Sequence, residues 1–203
     1  MNKKIIVIGR QFGSGGHEIG EKLAKELKIP FYDKRLVEDA AAELGINSTE
    51  AEPFDEKAIS QFVIAYAARH KYEYSLYTGN YEEVSTDRLF QQQQKIIKEL
   101  AKQGSCVIVG RCADYILRER GDVLSVFVSA DFESRIERIM NKYHMSEKQA
   151  EKVILKKDKE RKTYYKQHTG QKWGNSKNYH MVLNTGLLGT DEIVDILKKI
   201  YQD

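Results

Sequence analysis

A buried-strand pattern, a glycine-rich loop and a helical pattern follow one another at the start of the chain, and this order constrains the fold most. Residues 5–8 form the continuous apolar run IIVI, which is typical of a central parallel strand covered on both faces. The spacing then becomes helical, with Ile19, Leu23 and Leu27 on one face, and Pro30 ends the pattern. We therefore predict a strand, a glycine loop and a helix.

The same alternation of strands and helices continues along the chain. Further strands are predicted at residues 106–109, 124–128 and 181–183, with a short segment at residues 30–33. The predicted helices are marked by Leu36, Val37, Ala40, Ala41 and Leu44 with a cap at Gly45; by Ile59, Phe62, Val63 and Tyr66; by Leu89, Ile96, Ile97 and Leu100; by Arg135 and Ile139; and by Ile193, Val194, Leu197 and Ile200, with Asp191 and Glu192 in the first turn. Strands separated by helices imply right-handed crossovers, so we predict an α/β fold with a parallel sheet of about five strands.

A long charged helix is predicted after the capping box SEKQ at residues 146–149. The pattern continues to about Tyr165 and is rich in lysine and glutamate. This polarity predicts a solvent-facing arm.

Composition limits the class of protein. The chain has 203 residues, 41% hydrophobic and 31% charged, so it can bury a core, and its length favours one domain. No apolar stretch approaches the roughly 20 residues of a membrane helix, and no signal sequence precedes the first strand, so we expect a cytoplasmic protein without a membrane partner. Cys106 and Cys112 are expected to be buried thiols. A net charge of +3 is too small to indicate nucleic-acid binding.

Polar segments follow the predicted strands. They are residues 9–16, Asp33, residues 110–114, residues 129–131, and Asn184 with Thr185. In parallel α/β sheets, ligands bind beyond the carboxyl ends of the strands. We therefore expect these segments to form the functional site.

The loop at residues 9–16 reads GRQFGSGG. Backbone N–H groups and the positive end of a helix can bind an anion there. An ordinary phosphate loop, G-x-x-x-x-G-K-[ST], adds a lysine and a hydroxyl, but Gly16 stands in the lysine position. Two other interpretations are open: a turn without a ligand, and a dinucleotide loop with Asp33 as the ribose contact, although Glu18 replaces its third glycine. A modified phosphate loop accounts best for the glycines.

Several motifs resemble those of the cytidylate kinase-like family in order and spacing. They are GRQFGSGG at residues 9–16, PFYD at 30–33, VIVGR at 107–111, KDKERKTYY at 157–165, KWG at 172–174, NY at 178–179 and LNT at 183–185. The resemblance covers nearly the whole chain. The family belongs to the P-loop nucleoside monophosphate kinases; true cytidylate kinases, which keep the lysine, are similar more loosely.

The resemblance implies a three-layer P-loop kinase fold of the α/β class, with a parallel five-stranded sheet, a helical acceptor-binding insert and a helical lid. The single domain would comprise a core of residues 1–54, 104–145 and 178–203, the insert at residues 55–103 and the lid at residues 146–177. Tyrosines at positions 66, 72, 74, 77 and 81 lie in this insert and are expected to pack in the core or in an interface. Homo-oligomer formation therefore stays open.

The resemblance also implies roles for individual residues. The donor ATP would be held by Gly13, Ser14, Gly15, Gly16, His17 and Glu18, with Asn184 and Thr185 near the donor base. The acceptor nucleotide would be held by Asp33, Gly110, Asp114, Lys157 and Asp158. The helix that carries Lys157 and Asp158 would close over the phosphates as the lid.

The missing lysine must be replaced, because phosphoryl transfer requires positive groups around the transferred phosphate. We expect Arg10, Arg111 and Arg161 to be the catalytic cations, since arginine can contact two phosphate oxygens at once. Arg10 in a surface salt bridge and Arg161 in a solvated helix are the ordinary alternatives. Mg²⁺ with ATP is the expected cofactor, and Glu18 is the candidate carboxylate contact to the metal.

The sequence thus predicts an ATP-dependent kinase that acts on a nucleoside monophosphate such as CMP or dCMP, or on a related small acceptor. The alternative is a protein that binds a nucleotide or another phosphate ligand without turnover, which the missing lysine favours. Nucleic-acid binding by residues 148–166 is a third class, and the interspersed acidic residues argue against it. A lysine introduced at Gly16 is expected to improve ATP affinity if the loop has ordinary geometry.

Overall fold

The structure is a computed structural model that describes residues 5–33 and 86–202. The predicted helices at residues 36–44 and 59–66, and the tyrosines at positions 66, 72, 74, 77 and 81, lie outside the described residues. The chain divides into two compact units, one of Met1–Tyr32 with Ser105–Asp203 and one of Asp33–Gly104. Each unit is described by itself.

Five parallel strands form the sheet of the first unit, which confirms the predicted fold class. They are β1 (Ile5–Arg10), β2 (Phe31–Tyr32), β3 (Cys106–Val109), β4 (Val123–Ser129) and β5 (Met181–Asn184), and their order across the sheet is β2-β3-β1-β4-β5. Strand β1 is central, because Ile5 pairs with Cys106 of β3 and with Val123 of β4. The carboxyl ends of β1, β3 and β4 therefore lie side by side at one edge.

Six α-helices are described in the two units together. They are α1 (Gly16–Leu27), α2 (Thr86–Lys102), α3 (Ala113–Ile116), α4 (Phe132–Tyr143), α5 (Glu147–Thr169) and α6 (Thr185–Gln202), and a short 3₁₀ helix spans Ser176–Asn178. Helix α6 begins earlier than predicted and is interrupted at Gly189, whose φ is 71°. The helical segment after Gly189 is therefore the predicted closing helix, and Asp191 and Glu192 lie in its first turn.

The core surrounds strand β1. Ile5, Ile6, Val7 and Ile8 are all 0% exposed, which confirms that both faces of this strand are covered. One face packs against α1 and α6 through Ile19, Leu23, Ala24, Ile193, Val194 and Leu197. Each fully buried side chain of this size contributes roughly 1.5–3 kcal/mol to folding, so this cluster holds the helices on the sheet.

Helix α5 is not the solvent-facing arm that its charge predicted. Its amino end has the predicted capping box, in which Gln149 accepts a hydrogen bond from the Ser146 backbone N–H. A stripe of Ala150, Ile154, Asp158 and Tyr165 is buried, and the first two pack against α4. The average polarity of the helix did not reveal this stripe, because only one side of the helix is apolar while the lysines and glutamates occupy the other sides.

Helix α2 lies in the second unit. Phe90, Ile96, Ile97 and Leu100 are buried at helical spacing, which agrees with the predicted helix. In the described parts of both units, every helix is too short or too polar to cross a membrane.

Both cysteines are buried free thiols, as predicted. Burial raises the pKa of the Cys106 and Cys112 thiols to about 12. Both thiols are therefore protonated at neutral pH and unreactive, because the thiolate is the nucleophilic form.

Candidate functional site

The glycine loop connects the carboxyl end of β1 to the first turn of α1. Gly13 and Gly15 have φ values of 81° and 77°, which favour glycine. Gly15 is the N-cap of α1 and carries no side chain that could cap the helix. The first N–H groups of an α-helix have no acceptor inside the helix, so this end can bind an anion.

Ser14 supports the loop from inside the protein. It is 0% exposed, and its Oγ lies 2.9 Å from the carbonyl oxygen of Gln11 and 3.1 Å from that of Val128. Thr185, at the start of α6, donates its hydroxyl to the carbonyl oxygen of Ser14 at 2.9 Å. Asn184 accepts a hydrogen bond from the backbone N–H of Gly186. The end of β5 thus braces the loop.

Phe12 anchors the loop to the helices that pack beside it. Its backbone N–H donates to Oδ1 of Asp158 at 2.8 Å, and its carbonyl oxygen accepts from Nη1 of Arg135 at 3.2 Å. Its ring packs beside Ile139 and Ile154 in the cluster between α4 and α5. The loop is therefore tied to both helices.

Asp158 holds the loop in place, and its carboxylate is fully engaged within the protein. Besides the Phe12 contact, its Oδ2 accepts from Nη1 of Arg135 at 2.6 Å, and both side chains are about nine-tenths buried. The predicted acceptor contact of Asp158 stays a prediction. Lys157 lies on the adjacent, half-exposed side of α5, where it pairs with Glu160 at 3.1 Å, and its acceptor role likewise stays a prediction.

The predicted catalytic arginines lie close together at the carboxyl edge of the sheet. Nη1 of Arg161 donates to the carbonyl oxygen of Arg10 at 2.8 Å, and its guanidinium lies 5.4 Å from the ring centre of Phe12. The guanidinium of Arg111 stacks on Tyr164 of α5 at 4.6 Å. Strand β1, the turn after β3 and helix α5 each contribute one arginine.

Burial shapes the electrostatics of two of these arginines. It lowers the pKa of both Arg111 and Arg161, while Tyr164 opposes the shift for the first and Asp158 for the second. The charge of Arg111 further lowers the pKa of Arg161, which shows that the two repel each other. Arginine remains protonated at neutral pH even so, and an anion would relieve this repulsion.

The turn after β3 has an unusual backbone. Gly110, Arg111 and Cys112 have φ values of 85°, 54° and 55° in succession. The left-handed region is unfavourable for residues other than glycine, and such strain is often found at functional sites. The turn aims the side chain of Arg111 towards α5.

Asp114 is buried at the start of α3, and the structure pairs it with a side chain of α5. The hydroxyl of Tyr165 donates to Oδ2 of Asp114 at 2.6 Å. Burial raises the pKa of Asp114, and the hydrogen bond from Tyr165 opposes this shift. Asp114 therefore links the turn to α5, and its predicted contact with the acceptor stays a prediction.

Arg138 and Arg135 are site residues that sequence reasoning missed. A Cβ atom at Gly15 would lie 3.1 Å from Nη1 of Arg138, and the same nitrogen donates to Glu18 at 3.2 Å. Both arginines lie on α4, three residues apart and therefore on neighbouring positions of one face. The available signal was this spacing on a helix that begins at the carboxyl edge of the sheet.

A groove of about 580 Å³ lies beside Arg138. Glu18, Arg138, Lys142, Thr185 and Gly186 contribute to its walls. Pockets for small ligands usually measure about 300–1,000 Å³, so the groove has room for a nucleotide base and its sugar.

The remaining predicted contacts are less direct. The His17 ring packs edge-on against Phe31, with ring centroids 5.2 Å apart, and its Nδ1 lies 4.0 Å from Glu21, so its donor contact stays a prediction. Trp173 packs edge-on against Phe127 of β4 at 5.2 Å, which gives the KWG motif a structural role. Asp33 belongs to the second unit, and its acceptor role stays a prediction.

Metal ligation would depend on few protein groups. Within residues 5–33 and 86–202, no three histidine, cysteine, aspartate or glutamate side chains are grouped to hold a metal ion. Mg²⁺ is commonly bound by one or two carboxylates together with substrate phosphates and water. Glu18, exposed in the first turn of α1, fits this arrangement as a single carboxylate.

The parallel sheet, the helices packed on it and the glycine loop at its carboxyl edge define the fold of P-loop kinases. A solved shikimate kinase from Bacteroides thetaiotaomicron shares this fold with a TM-score of 0.50 and 11% identity, over 98% of both chains. The sequence model of the cytidylate kinase-like family matches residues 5–187. The chain therefore belongs to the cytidylate kinase-like family.

Two further relatives cover nearly the whole chain. A cytidylate kinase from Ignicoccus hospitalis is 23% identical over 97% of this chain and 98% of its own. A crystal structure of an uncharacterized protein from Eubacterium ventriosum has a TM-score of 0.71 and 28% identity, over 98% of each chain. Family and fold are thus both kinase-like.

Proposed function

We propose that this protein transfers the γ-phosphate of ATP to a nucleoside monophosphate, such as CMP or dCMP, or to a related small acceptor. The observation that carries the proposal is the cluster of arginines at the carboxyl edge of the sheet: Arg161 contacts the loop, Arg10 leaves it towards Gly110, and Arg111 lies in the adjoining turn. Phosphoryl transfer depends mainly on positioning and on charge neutralisation, and guanidinium groups provide both.

The reaction needs no protein nucleophile. A phosphate oxygen of the acceptor forms the new P–O bond, the bond to the β-phosphate oxygen of ATP breaks, and ADP leaves. The acceptor phosphate is largely deprotonated at neutral pH, because its second pKa is about 6. The protein therefore has to align the two phosphates and neutralise their charges.

In this proposal, the donor ATP lies in the groove beside Arg138. In this arrangement the polyphosphate follows the loop of Gly13 to Gly16, and the base lies towards Thr185 and Gly186. Arg111 and Arg161 are then placed on the acceptor side of the transferred phosphate. The relative from Ignicoccus hospitalis, a cytidylate kinase, supports CMP as the first acceptor to test.

Mg²⁺ is the proposed metal cofactor, bound together with ATP. When bound, it neutralises charge on the phosphates of the donor. Glu18 is the residue proposed to hold it with the phosphates, and Arg138 pairs with the same carboxylate. Glu18→Gln should therefore raise the Mg²⁺ concentration needed for half-maximal activity.

The test is ADP formation measured in a coupled assay over a panel of acceptors: CMP, dCMP, UMP, AMP, GMP and shikimate. Turnover with one acceptor above the rate with ATP alone supports the proposal. The alternative, binding without turnover, is favoured by Gly16 in the lysine position. Thermal stabilisation by ATP with no ADP formation for any acceptor would contradict the kinase and support that alternative.

A further inference from the structure

Gly16 has no space for a side chain, because Arg10 fills that space. A Cβ atom at Gly16 would lie 2.6 Å from Cβ and 3.1 Å from Cγ of Arg10, and 3.3 Å from Cβ of Val128. Carbon atoms in non-bonded contact are about 3.5–4.0 Å apart, so the first distance requires the backbone to move. The lysine position is therefore closed while Arg10 is present, so Gly16→Lys alone would clash with the Arg10 side chain.

The other end of the Arg10 side chain lies against a second glycine. A Cβ atom at Gly110 would overlap Nη1 of Arg10 and would lie 2.9 Å from its Cζ. Gly110 directly follows β3, which pairs with β1 in the sheet. The side chain of Arg10 thus runs along the carboxyl edge from the start of α1 to the end of β3, with one glycine at each end.

The backbone around Arg10 is fixed on both sides. Its carbonyl oxygen accepts from Arg161 at 2.8 Å, and the next N–H, of Gln11, donates to Val128 at 3.0 Å. The direction in which the side chain leaves the strand is therefore set by the sheet and by α5. A side chain at position 16 has to adapt to Arg10, since the Cβ atom of Arg10 cannot move away without loss of these backbone bonds.

We infer that Arg10 and Gly16 have exchanged roles: Arg10 supplies the phosphate-binding cation, and Gly16 and Gly110 leave the space that its side chain requires. The inference rests on the proposed function and names the residue that binds the donor's phosphates. A guanidinium contacts two phosphate oxygens at once, whereas an ammonium group acts as a point charge. The ligand class is therefore a polyphosphate chain, as in a nucleoside triphosphate.

The test measures the affinity for ATP and for inorganic tripolyphosphate by calorimetry. Arg10→Met keeps an unbranched stem against Gly16 but lacks the charge, so both affinities should fall at least about 10-fold, or about 1.4 kcal/mol. The double variant Arg10→Gly/Gly16→Lys removes the blocking Cβ and restores a lysine in the ordinary position. It should bind tripolyphosphate at least about 10-fold more tightly than Arg10→Gly.

Arg120→Met is the matched control. It also removes one guanidinium, but Arg120 pairs with Asp122 at the opposite, amino-terminal edge of the sheet. Its affinity for tripolyphosphate should equal that of the parent. Arg10→Met with parent affinity would overturn the inference and leave the kinase proposal standing, whereas a parent that binds neither ligand would overturn both. A double variant that binds no better than Arg10→Gly would overturn the exchange.

A second measurement needs no ligand. Gly16→Ala should lower the melting temperature strongly in the parent but only slightly in the Arg10→Gly background, because the blocking atoms belong to Arg10. Equal losses in the two backgrounds would show that Arg10 is not what keeps position 16 a glycine.

Discussion

Arg161 lies on α5, and Arg111 stacks on Tyr164 of the same helix. Both cations are half-buried, and the proposed reaction gives both a direct role. Arg111→Ala and Arg161→Ala should each lower turnover at least about 10-fold, which equals about 1.4 kcal/mol of transition-state stabilisation. Steady-state ADP formation measures the effect. Arg120→Ala, at the other edge of the sheet, is the control and should leave turnover unchanged. Unchanged turnover in both site variants would remove the catalytic assignment.

Asp114 should make stability depend on pH. Burial raises its pKa above the ordinary value of 3.8, so the folded state holds a proton that the unfolded state has already lost. The free energy of unfolding therefore falls as pH rises from the unfolded pKa through the raised one. Asp114→Asn does not titrate, so its melting temperature relative to the parent should rise as pH increases above about 4.

Asp191 provides a control of opposite sign. Its pKa is lowered, mainly by the hydrogen bond from Lys22, so its contribution is lost as pH falls through that pKa. Asp191→Asn should therefore lose melting temperature relative to the parent as pH rises from acidic values to about 4, and the difference should stay constant from there to neutral pH. If Asp114→Asn instead lost melting temperature relative to the parent as pH rises, burial would not be what governs the titration of Asp114.

At the scale of elements, the contact between α5 and the glycine loop depends on Asp158. Asp158→Asn leaves the buried guanidinium of Arg135 without its counter-charge, and breaking such a pair costs about 3–5 kcal/mol. Equilibrium unfolding in urea measures the loss. Glu160→Gln breaks the exposed pair with Lys157 and should change stability by less than about 1 kcal/mol. Similar losses for the two variants would argue against the anchoring role.

Local patterns predicted the elements well, and distant contacts explain what was missed. The apolar run of β1, the glycines and the spacing of α1 are local signals, so strand, loop and helix were predicted together. The hydrogen bond that the Phe12 N–H donates to Asp158 joins residues 146 positions apart. The one that Arg135 donates to the Phe12 carbonyl joins residues 123 positions apart. Such pairings depend on how α4 and α5 pack, which periodicity within one helix does not specify.

The same limit applies to Arg10. The sequence named it as a candidate because it leaves the end of β1, but its course past Gly16 and Gly110 depends on how β1 and β3 pair. Its contact with Gly110 joins two residues that are far apart in the sequence. Nothing in the local pattern indicated that two glycines accommodate one side chain.

For the molecule as a whole, ligand binding should appear as added stability. ATP with Mg²⁺ at about 100 times its Kd should add about 2.7 kcal/mol, which for a chain of this size raises the melting temperature by about 5–11 °C. Differential scanning fluorimetry measures the shift. Adenosine at the same concentration should give a much smaller shift, because the proposed site holds its ligand through the phosphates. Equal shifts would contradict a phosphate-centred site.

The left-handed turn after β3 places Arg111 and Cys112 in a backbone conformation that glycine adopts more easily. Arg111→Gly should therefore melt at a higher temperature than Arg111→Ala, although both lack the guanidinium and should share its loss of turnover; thermal melting compares the two. An arginine at this position costs backbone strain, which its stacking on Tyr164 and a bound anion would offset.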